Sequence, residues 1–529
     1  MPMPDHARSN AAESGGAPPQ IVDLLIVGGG INGAGIARDA AGRGRSVMLC
    51  EMGDLAQGTS SRSSGLIHGG LRYLEYGEFR LVREALRERE ILLGIAPHLV
   101  RPMRFVLPHV AHMRPAWMLR AGLFLYDHLA RRERLPGSAA VSLDRVPEGA
   151  AVQAQIHRGF VYSDCRTDDA RLVIANALAA RQLGAHILTR VELVRAERSG
   201  QKLWQVQLHD LRSGAVWNQL ARALINAAGP WVDTVSSRVA GVRPRRRVVL
   251  VKGSHIVVAK FWEGEHAFIL QNVDRRVVFA TPYEGRFALI GTTDQPYVDA
   301  PERVAISEAE IDYLCAAVNR QLRCELGPAD VRHKFSGVRC LVDDERDDPS
   351  AVTRDYLIDI DSGGEDRADG LQGQAPYITI LGGKITTYRR LAEQVLDSLR
   401  PAFACARVAW TANQPLPGGD LAGDLLAAES QFLREVAFLP PAHARALFGR
   451  HGNGARTLLS GIHDRAGLGR HFGAGLYECE AIHLTQNEWA LTAEDLLWRR
   501  TKCGLQFTPE ELRDLEDWLA RQHLGAQAK

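Results

Sequence analysis

The eight cysteines of this 529-residue chain lie scattered at 50, 165, 315, 324, 340, 405, 479 and 503, and no two form a CxxC pair. This spacing supplies neither a zinc-ligand set nor a disulfide framework; reduced thiols of a cytosolic compartment fit best, and no metal is expected. No apolar run approaches the ~20 residues of a membrane-crossing helix. The opening stretch is rich in Pro, Ala, Gly and Ser and lacks an apolar h-region, so residues 1–20 are expected to be a disordered tail and not a signal peptide. A formal net charge of +2 gives no general attraction to nucleic acid. There is no internal repeat. The chain is too long for a single domain, and its 46% hydrophobic content is enough for two or three sizeable cores.

The organising stretch is residues 21–51. An apolar run, Leu24 to Val27, reads as a buried parallel strand; Gly28-Gly29-Gly30-Ile31-Asn32-Gly33 follows, then a helix over Ile31 to Gly42, then a second apolar run ending at Glu51. This is the strand–turn–helix–strand of a dinucleotide site. Gly28 permits the tight turn, Gly30 lets the backbone approach a pyrophosphate, and Gly33 lets the helix pack on the strand. The helix N-terminus offers N–H groups to phosphate. Glu51 is placed to accept ribose hydroxyls.

Gly58 to Leu74 is dense in glycine and small hydroxyl residues, with His68, Arg72 and Tyr73 among them. That is loop chemistry beside a dinucleotide, although a plain surface loop has the same composition. A helix with Phe79, Val82, Leu86 and Leu93 on one face follows. Residues 97–136 interleave prolines, arginines, Trp117 and Leu, which suits either a membrane interface or an ordinary helix with a solvated basic face. A helix is expected over Thr167–Gly184 and strands over 185–195, 203–209 and 214–227. The last ends in Ala227-Ala228-Gly229, either a second approach to the dinucleotide or a plain strand-to-helix turn. Val248–Val251, His255–Val258, Val277–Thr281 and Phe287–Thr293 read as an antiparallel sheet, with a helix over 307–325. Taken alone, His255 in a strand fits a structural role as well as a catalytic one. Tyr377 to Arg389 gives another strand, the pair Gly382-Gly383 and a helix, with Lys384 at its start; residues 361–374 look like a surface loop. There is no second GxGxxG, and two later glycine-rich strand ends suggest one large cofactor held along its length, which fits FAD better than a nicotinamide.

These motifs resemble the FAD-dependent sn-glycerol-3-phosphate dehydrogenases of aerobic respiration. The resemblance runs from Gly28–Gly35 through Leu66–Leu74, Lys252-Gly253-Ser254-His255, Ile290–Asp294, Ser336-Gly337-Val338-Arg339 and Thr353-Arg354-Asp355-Tyr356 to Gly382–Arg389. It implies an α/β fold: a Rossmann-like FAD-binding domain (21–98, 155–247 and 335–400), an antiparallel-sheet substrate domain (99–154 and 248–334) and a C-terminal all-helical cap domain (411–529). It implies oxidation of glycerol 3-phosphate to dihydroxyacetone phosphate. Electrons would pass to ubiquinone or menaquinone in a homodimer attached peripherally to the cytoplasmic face of the membrane, which favours the membrane reading of 97–136.

The expected cofactor residues are Gly28, Gly30, Asn32, Gly33, Glu51, Thr59, Ser60, Ser61, His68, Gly69, Gly70, Ala228, Gly229, Gly382, Gly383, Lys384 and Thr386. Arg72 and Arg339 are the expected phosphate forks, with Tyr73, Lys384 and Thr386 beside them. His255 is the expected catalytic base with Arg339, and His68 is its competitor. Two positions depart from the family pattern: Gly65 stands where the family has Lys, and Cys340 where it has Pro. The first removes a loop or flavin contact. The second is expected to loosen the backbone that presents Arg339. Rival readings are a soluble oxidase of the same fold that reduces oxygen to peroxide, and a flavin-binding protein without turnover. An amine oxidase fits less well, because one carboxylate does not need two arginines and a lysine.

Overall fold

The computed structural model describes residues 19–110, 113–200, 202–242, 246–274, 276–343, 355–362, 374–401, 403 and 408–527, with side chains to 522. Residues 1–18 of the expected tail, Thr353, Arg354 and most of the 361–374 stretch lie outside these.

Two sheets organise the chain. In the first, Ile21–Val27 is central. It pairs in parallel with Val216–Asn226 on one side and Val47–Glu51 on the other. His186–Thr189 extends the parallel array beyond Val47–Glu51, and Tyr377–Leu381 extends it beyond Val216–Asn226. Leu24, Leu25 and Ile26 are fully buried, as expected of a strand covered on both faces. Helices Ile31–Gly42, Asp169–Gln182 and Tyr388–Ser398 contribute to one core with this sheet; small residues at Ala34, Ala37 and Ala177 permit close packing. The helix expected from Thr167 starts later because Asp168 is its cap: the carboxylate accepts the Arg171 N–H at 3.1 Å.

The second sheet is almost wholly antiparallel. Its path runs Gln295–Tyr297, Val248–Ala259, Phe287–Gly291, Val277–Tyr283, Ala267–Gln271, Val100–Pro108, Arg158–Thr167 and Leu66–Ile67. His333–Val342 pairs along Val248–Ala259, and the register is unbroken from Val248↔Val342 to Val257↔His333. That ladder is why the two strands expected at 248–251 and 255–258 are one. The sheet also reaches beyond the pieces 99–154 and 248–334, since it takes in Leu66–Ile67, Arg158–Thr167 and His333–Val342. The stretch 97–136 holds a strand, Val100–Pro108, as well as the helix Ala116–His128. The helix expected over 307–325 is Glu308–Asn319, opened by a Ser307–Glu310 capping box. It stops where the Asn319 side chain accepts the Leu326 N–H at 2.9 Å and folds the chain back.

The C-terminal domain is helical, with one short hairpin, His471–Gly473 against Leu476–Tyr477. Phe432, Phe448 and Leu447 fill one of its cores and Phe472, Leu515 and Trp518 another.

Candidate active site

The site forms where the carboxyl ends of the first sheet's strands meet the second sheet. At Gly28 the backbone has φ +112°, and a Cβ there would stand 2.6 Å from the Ala227 carbonyl oxygen, so only glycine lets the turn pass between two strand ends. At Gly33 a Cβ would lie 1.9 Å from the Gly28 carbonyl oxygen, so the helix rests directly on the turn. Glu51 accepts the N–H groups of Gly29 and Gly53, both at 2.7 Å. Its carboxylate therefore holds the turn and keeps further lone pairs for ribose hydroxyls. Burial raises its pKa while those backbone bonds lower it. Ser60 Oγ accepts the Ile31 N–H at 3.0 Å, and Thr59 donates to the Val338 carbonyl at 2.5 Å. The N–H groups of Asn32 and Gly33, in the helix's first turn, have no intrahelical acceptor. Asn32 ties this helix to the later glycine pair by donating to the Gly382 carbonyl at 3.2 Å, and its buried Oδ1 has no hydrogen-bond partner among the described residues. The Ala228 N–H is held by Asn226 Oδ1 at 3.2 Å, and Gly229 opens the next turn with φ +56°. This combination of glycine cradle, open N–H groups, ribose acid and orphaned Asn32 oxygen fits an adenine dinucleotide.

The substrate side is built on the alternation of strand Val248–Ala259. Lys252 and Ser254 point one way, where both reach Glu310 at 2.8 Å, and Thr293 joins them at 2.9 Å. These donors hold the Glu310 carboxylate down at about 2 against the opposing effect of burial. Gly253 and His255 belong to the opposite face. The register pairs His255 with Phe335 and Val251 with Arg339, so His255 and Arg339 share that face. Arg339 forms an ion pair with Asp294 and approaches Thr292 Oγ1 at 3.4 Å. His255 is 1% exposed, stacks on Phe335 with ring centroids 5.0 Å apart, and bonds Ser64 Oγ through Nε2 at 2.9 Å. Burial, then the Arg339 charge, push its pKa down to about 3, so the ring is neutral.

The third wall joins residues 68–74 to the turn after Gly383. Thr386 Oγ1 accepts the His68 N–H at 3.2 Å, and Lys384 Nζ sits 3.7 Å from the centroid of the Tyr73 ring. The Gly69 N–H is held by the Tyr126 hydroxyl at 2.8 Å; Tyr126 in turn donates to buried Asp164, which pairs with Arg89 at 2.6 Å. Gly70 follows with φ +79°. Half-buried Arg72 makes no side-chain hydrogen bond or ion pair among the described residues.

Sequence reasoning missed Ser64, Asp294, Glu310 and the Tyr126–Asp164–Arg89 support. Only Glu310 carried a local signal, the Ser307-x-x-Glu310 pattern before an apolar run. Cys340 does not loosen Arg339: its backbone lies within the unbroken ladder opposite Leu250, and its side chain is buried against Val232 and Leu381. Gly65 has φ +62°, and its carbonyl accepts the Thr167 N–H at 2.8 Å.

A family profile described as FAD dependent oxidoreductase matches residues 23–358, and one described as the C-terminal domain of alpha-glycerophosphate oxidase matches 409–517. The chain is 51% identical to a glycerol-3-phosphate dehydrogenase of Pseudomonas aeruginosa, over 95% of this chain and 96% of that protein. The chain belongs to the FAD-dependent glycerol-3-phosphate dehydrogenase family. A D-erythritol 1-phosphate dehydrogenase of Brucella abortus is 50% identical over 96% of this chain and all of its own length. The solved structure of a glycerol-3-phosphate dehydrogenase from Bacillus halodurans, complexed with FAD, superposes with a TM-score of 0.74 at 26% identity, covering 98% of this chain and 93% of that one. The dehydrogenase-family chain is thus an FAD oxidoreductase, and the fingerprint turn, Glu51 and the Asn32–Gly382 junction are the features that fit the cofactor.

Proposed function

We propose that this enzyme oxidises sn-glycerol 3-phosphate to dihydroxyacetone phosphate and passes the electrons to a membrane quinone. The observation that supports the reading is a neutral buried histidine, His255, beside the Arg339–Asp294 pair; Arg72 and Lys384 are the further cations we assign to the phosphate. A phosphate dianion is matched by guanidinium forks and a point charge, and a secondary carbinol needs a base for its hydroxyl proton. FAD supplies the hydride acceptor when bound. Arg72 and Arg339 hold the phosphate, Lys384 is kept in place by the Tyr73 ring, and the carbinol proton passes to the Ser64 hydroxyl as that hydroxyl gives its own proton to His255 Nε2. The phosphate dianion offsets the Arg339 charge that depresses His255, so substrate binding itself strengthens the base.

The names of the relatives support the substrate, and the nearly equal identity of the D-erythritol 1-phosphate dehydrogenase brings in a second reading, a four-carbon polyol phosphate with the same phosphate-and-carbinol chemistry. The test is anaerobic bleaching of the holoenzyme's flavin. Glycerol 3-phosphate is expected to bleach it faster than D-erythritol 1-phosphate, while glycerol and lactate leave it unchanged. The reverse order of the two phosphates would move the substrate to the longer chain. Quinone reduction exceeding peroxide yield in air supports the dehydrogenase; the opposite balance supports an oxidase.

No helix among the described residues is long and apolar enough to cross a membrane. Membrane contact is assigned to the helix Ala116–His128, where Trp117 is 70% and Phe124 57% exposed, one heptad apart, with Met118 and Leu125 beside them and Arg114, Arg120 and Arg131 around them. Trp117→Ser/Phe124→Ser is expected to abolish co-sedimentation with anionic vesicles and leave flavin bleaching intact. Unchanged sedimentation would move the contact elsewhere. The homodimer rests on the family resemblance.

A further inference from the structure

The fold gives the helical C-terminal domain a task at the active site. Lys502 of that domain is 7% exposed and sits at φ +58°, a left-handed conformation that lysine rarely adopts. Its ammonium donates to Asp168 at 2.9 Å and lies 3.8 Å from Asp169, with Tyr283 and Glu284 also facing it. Asp169 reaches the opposite way. Its Oδ2 accepts both the N–H of Ser63, at 3.2 Å, and the hydroxyl of Ser63, at 2.7 Å. Ser63 Oγ then accepts the Gly65 N–H at 3.0 Å, which closes a small turn around Ser64. Ser64 Oγ is the hydrogen-bond partner of His255 Nε2. Asp169 makes the charge-assisted links, to Lys502 as an ion pair and to Ser63 by hydrogen bonds, whereas the Gly65–Ser63 and Ser64–His255 bonds are neutral and part-buried; among the described residues no other side-chain hydrogen bond holds the His255 ring, whose Nδ1 has no partner there.

We propose that Lys502 is a positioning residue for the reaction, holding Ser64 against His255 through Asp169 and Ser63. Asp168 and Asp169 are adjacent carboxylates, and without the ammonium they repel one another. Asp169 then loses the geometry that seats Ser63, and the turn around Ser64 is released. The other buried ties of the C-terminal domain, Arg499 and Arg500 to Asp54 and Glu488 to Arg171, keep the domain docked in the absence of Lys502. Lys502 is therefore a member of this interface joined to the histidine by ion pairs and hydrogen bonds, apart from the ring contacts that run from Trp498 through His333 and Phe335. The inference rests on His255 acting as the base proposed above.

The test uses full-length holoenzyme and two readouts. In hydrogen exchange, Lys502→Met and Ser63→Ala are each expected to speed exchange in residues 59–67 by about tenfold, with helix 31–42 unchanged. In anaerobic single turnover with glycerol 3-phosphate, both lower the bleaching rate constant by about tenfold while half-saturation stays within about twofold, and Lys502→Arg restores most of the rate. Ser63→Ala removes no buried charge, so it reads the same link should Lys502→Met fail to fold. Wild-type exchange in 59–67, or a Lys502→Met effect confined to residues 409–522, overturns the proposal. If wild-type flavin is not bleached, the substrate reading fails on its own, and the exchange result still decides whether Lys502 governs this turn.

Discussion

The two arginines proposed to hold the phosphate differ in a way that predicts unequal losses. Arg72 has no ion pair among the described residues, whereas Arg339 is already neutralised by Asp294, a carboxylate with little exposure. Removing Arg72 deletes charge-assisted bonds worth about 1.5–3 kcal/mol, which raises half-saturation by roughly 10- to 150-fold. Removing Arg339 deletes the same kind of bonds and also takes from Asp294 the cation that offsets its charge beside an incoming dianion. Unit charges about 6 Å apart at an effective dielectric of about 20 interact with about 3 kcal/mol; halved for partial exposure, this is roughly another tenfold. Arg339→Ala is therefore expected to raise half-saturation about tenfold more than Arg72→Ala. Adding Asp294→Ala to Arg339→Ala should recover that tenfold, although one more native group has been lost. The assay is steady-state kinetics with glycerol 3-phosphate, alongside competitive inhibition by inorganic phosphate. A double variant no better than Arg339→Ala alone, or equal losses for the two arginines, would refute the reasoning.

Two further outcomes follow from packing and from protonation. Gly33→Ala places a methyl 1.9 Å from the Gly28 carbonyl oxygen, so helix and turn must part; the purified protein is expected to bind FAD at least about tenfold more weakly, and full occupancy by absorbance would contradict this. His255 is held neutral at about 3 in the fold against about 6.5 unfolded, so its contribution to stability is complete above pH 6.5 and drains away as pH falls toward 3. Between pH 7 and pH 4.5 the wild type should lose roughly 2–3 kcal/mol of unfolding free energy that His255→Asn does not lose, measured by urea titration; parallel losses would show that the ring is not buried and neutral.

The first sheet was readable because its signals are local. Leu24 to Val27, the glycine turn and Glu51 each report on their own neighbours, and the helix Ile31–Gly42 falls where the pattern places it. The second sheet was only half legible. Val100–Pro108 hid in a stretch rich in proline and arginine, because its strand character comes from pairing with Arg158–Thr167, more than fifty residues further on. The same distance problem concealed the site's supports. Ser64 and His255 lie 191 residues apart, Arg339 and Asp294 45, and Lys502 and Asp168 334. Nothing in the residues around Ser64 sets it apart from the serines beside it; only the fold selects it.

The separation of roles along one strand explains why Lys252-Gly253-Ser254-His255 acts as a unit. A strand sends alternate residues to opposite faces, so Lys252 and Ser254 cannot serve the substrate if His255 does. They instead fasten the strand to Glu310, and Thr293 and Ser307 complete the carboxylate's shell. Gly253 keeps the site face clear: a Cβ there would come within 2.6 Å of Thr292 Oγ1 and 3.0 Å of Arg339 Nη2. One face is thus held rigid by a satisfied buried carboxylate, while the other carries a neutral histidine and a paired guanidinium. A substitution at Lys252 or Ser254 would therefore reach the chemistry through the position of the strand, and one at Gly253 through crowding of Arg339, although none of these three side chains is assigned to the reacting carbon.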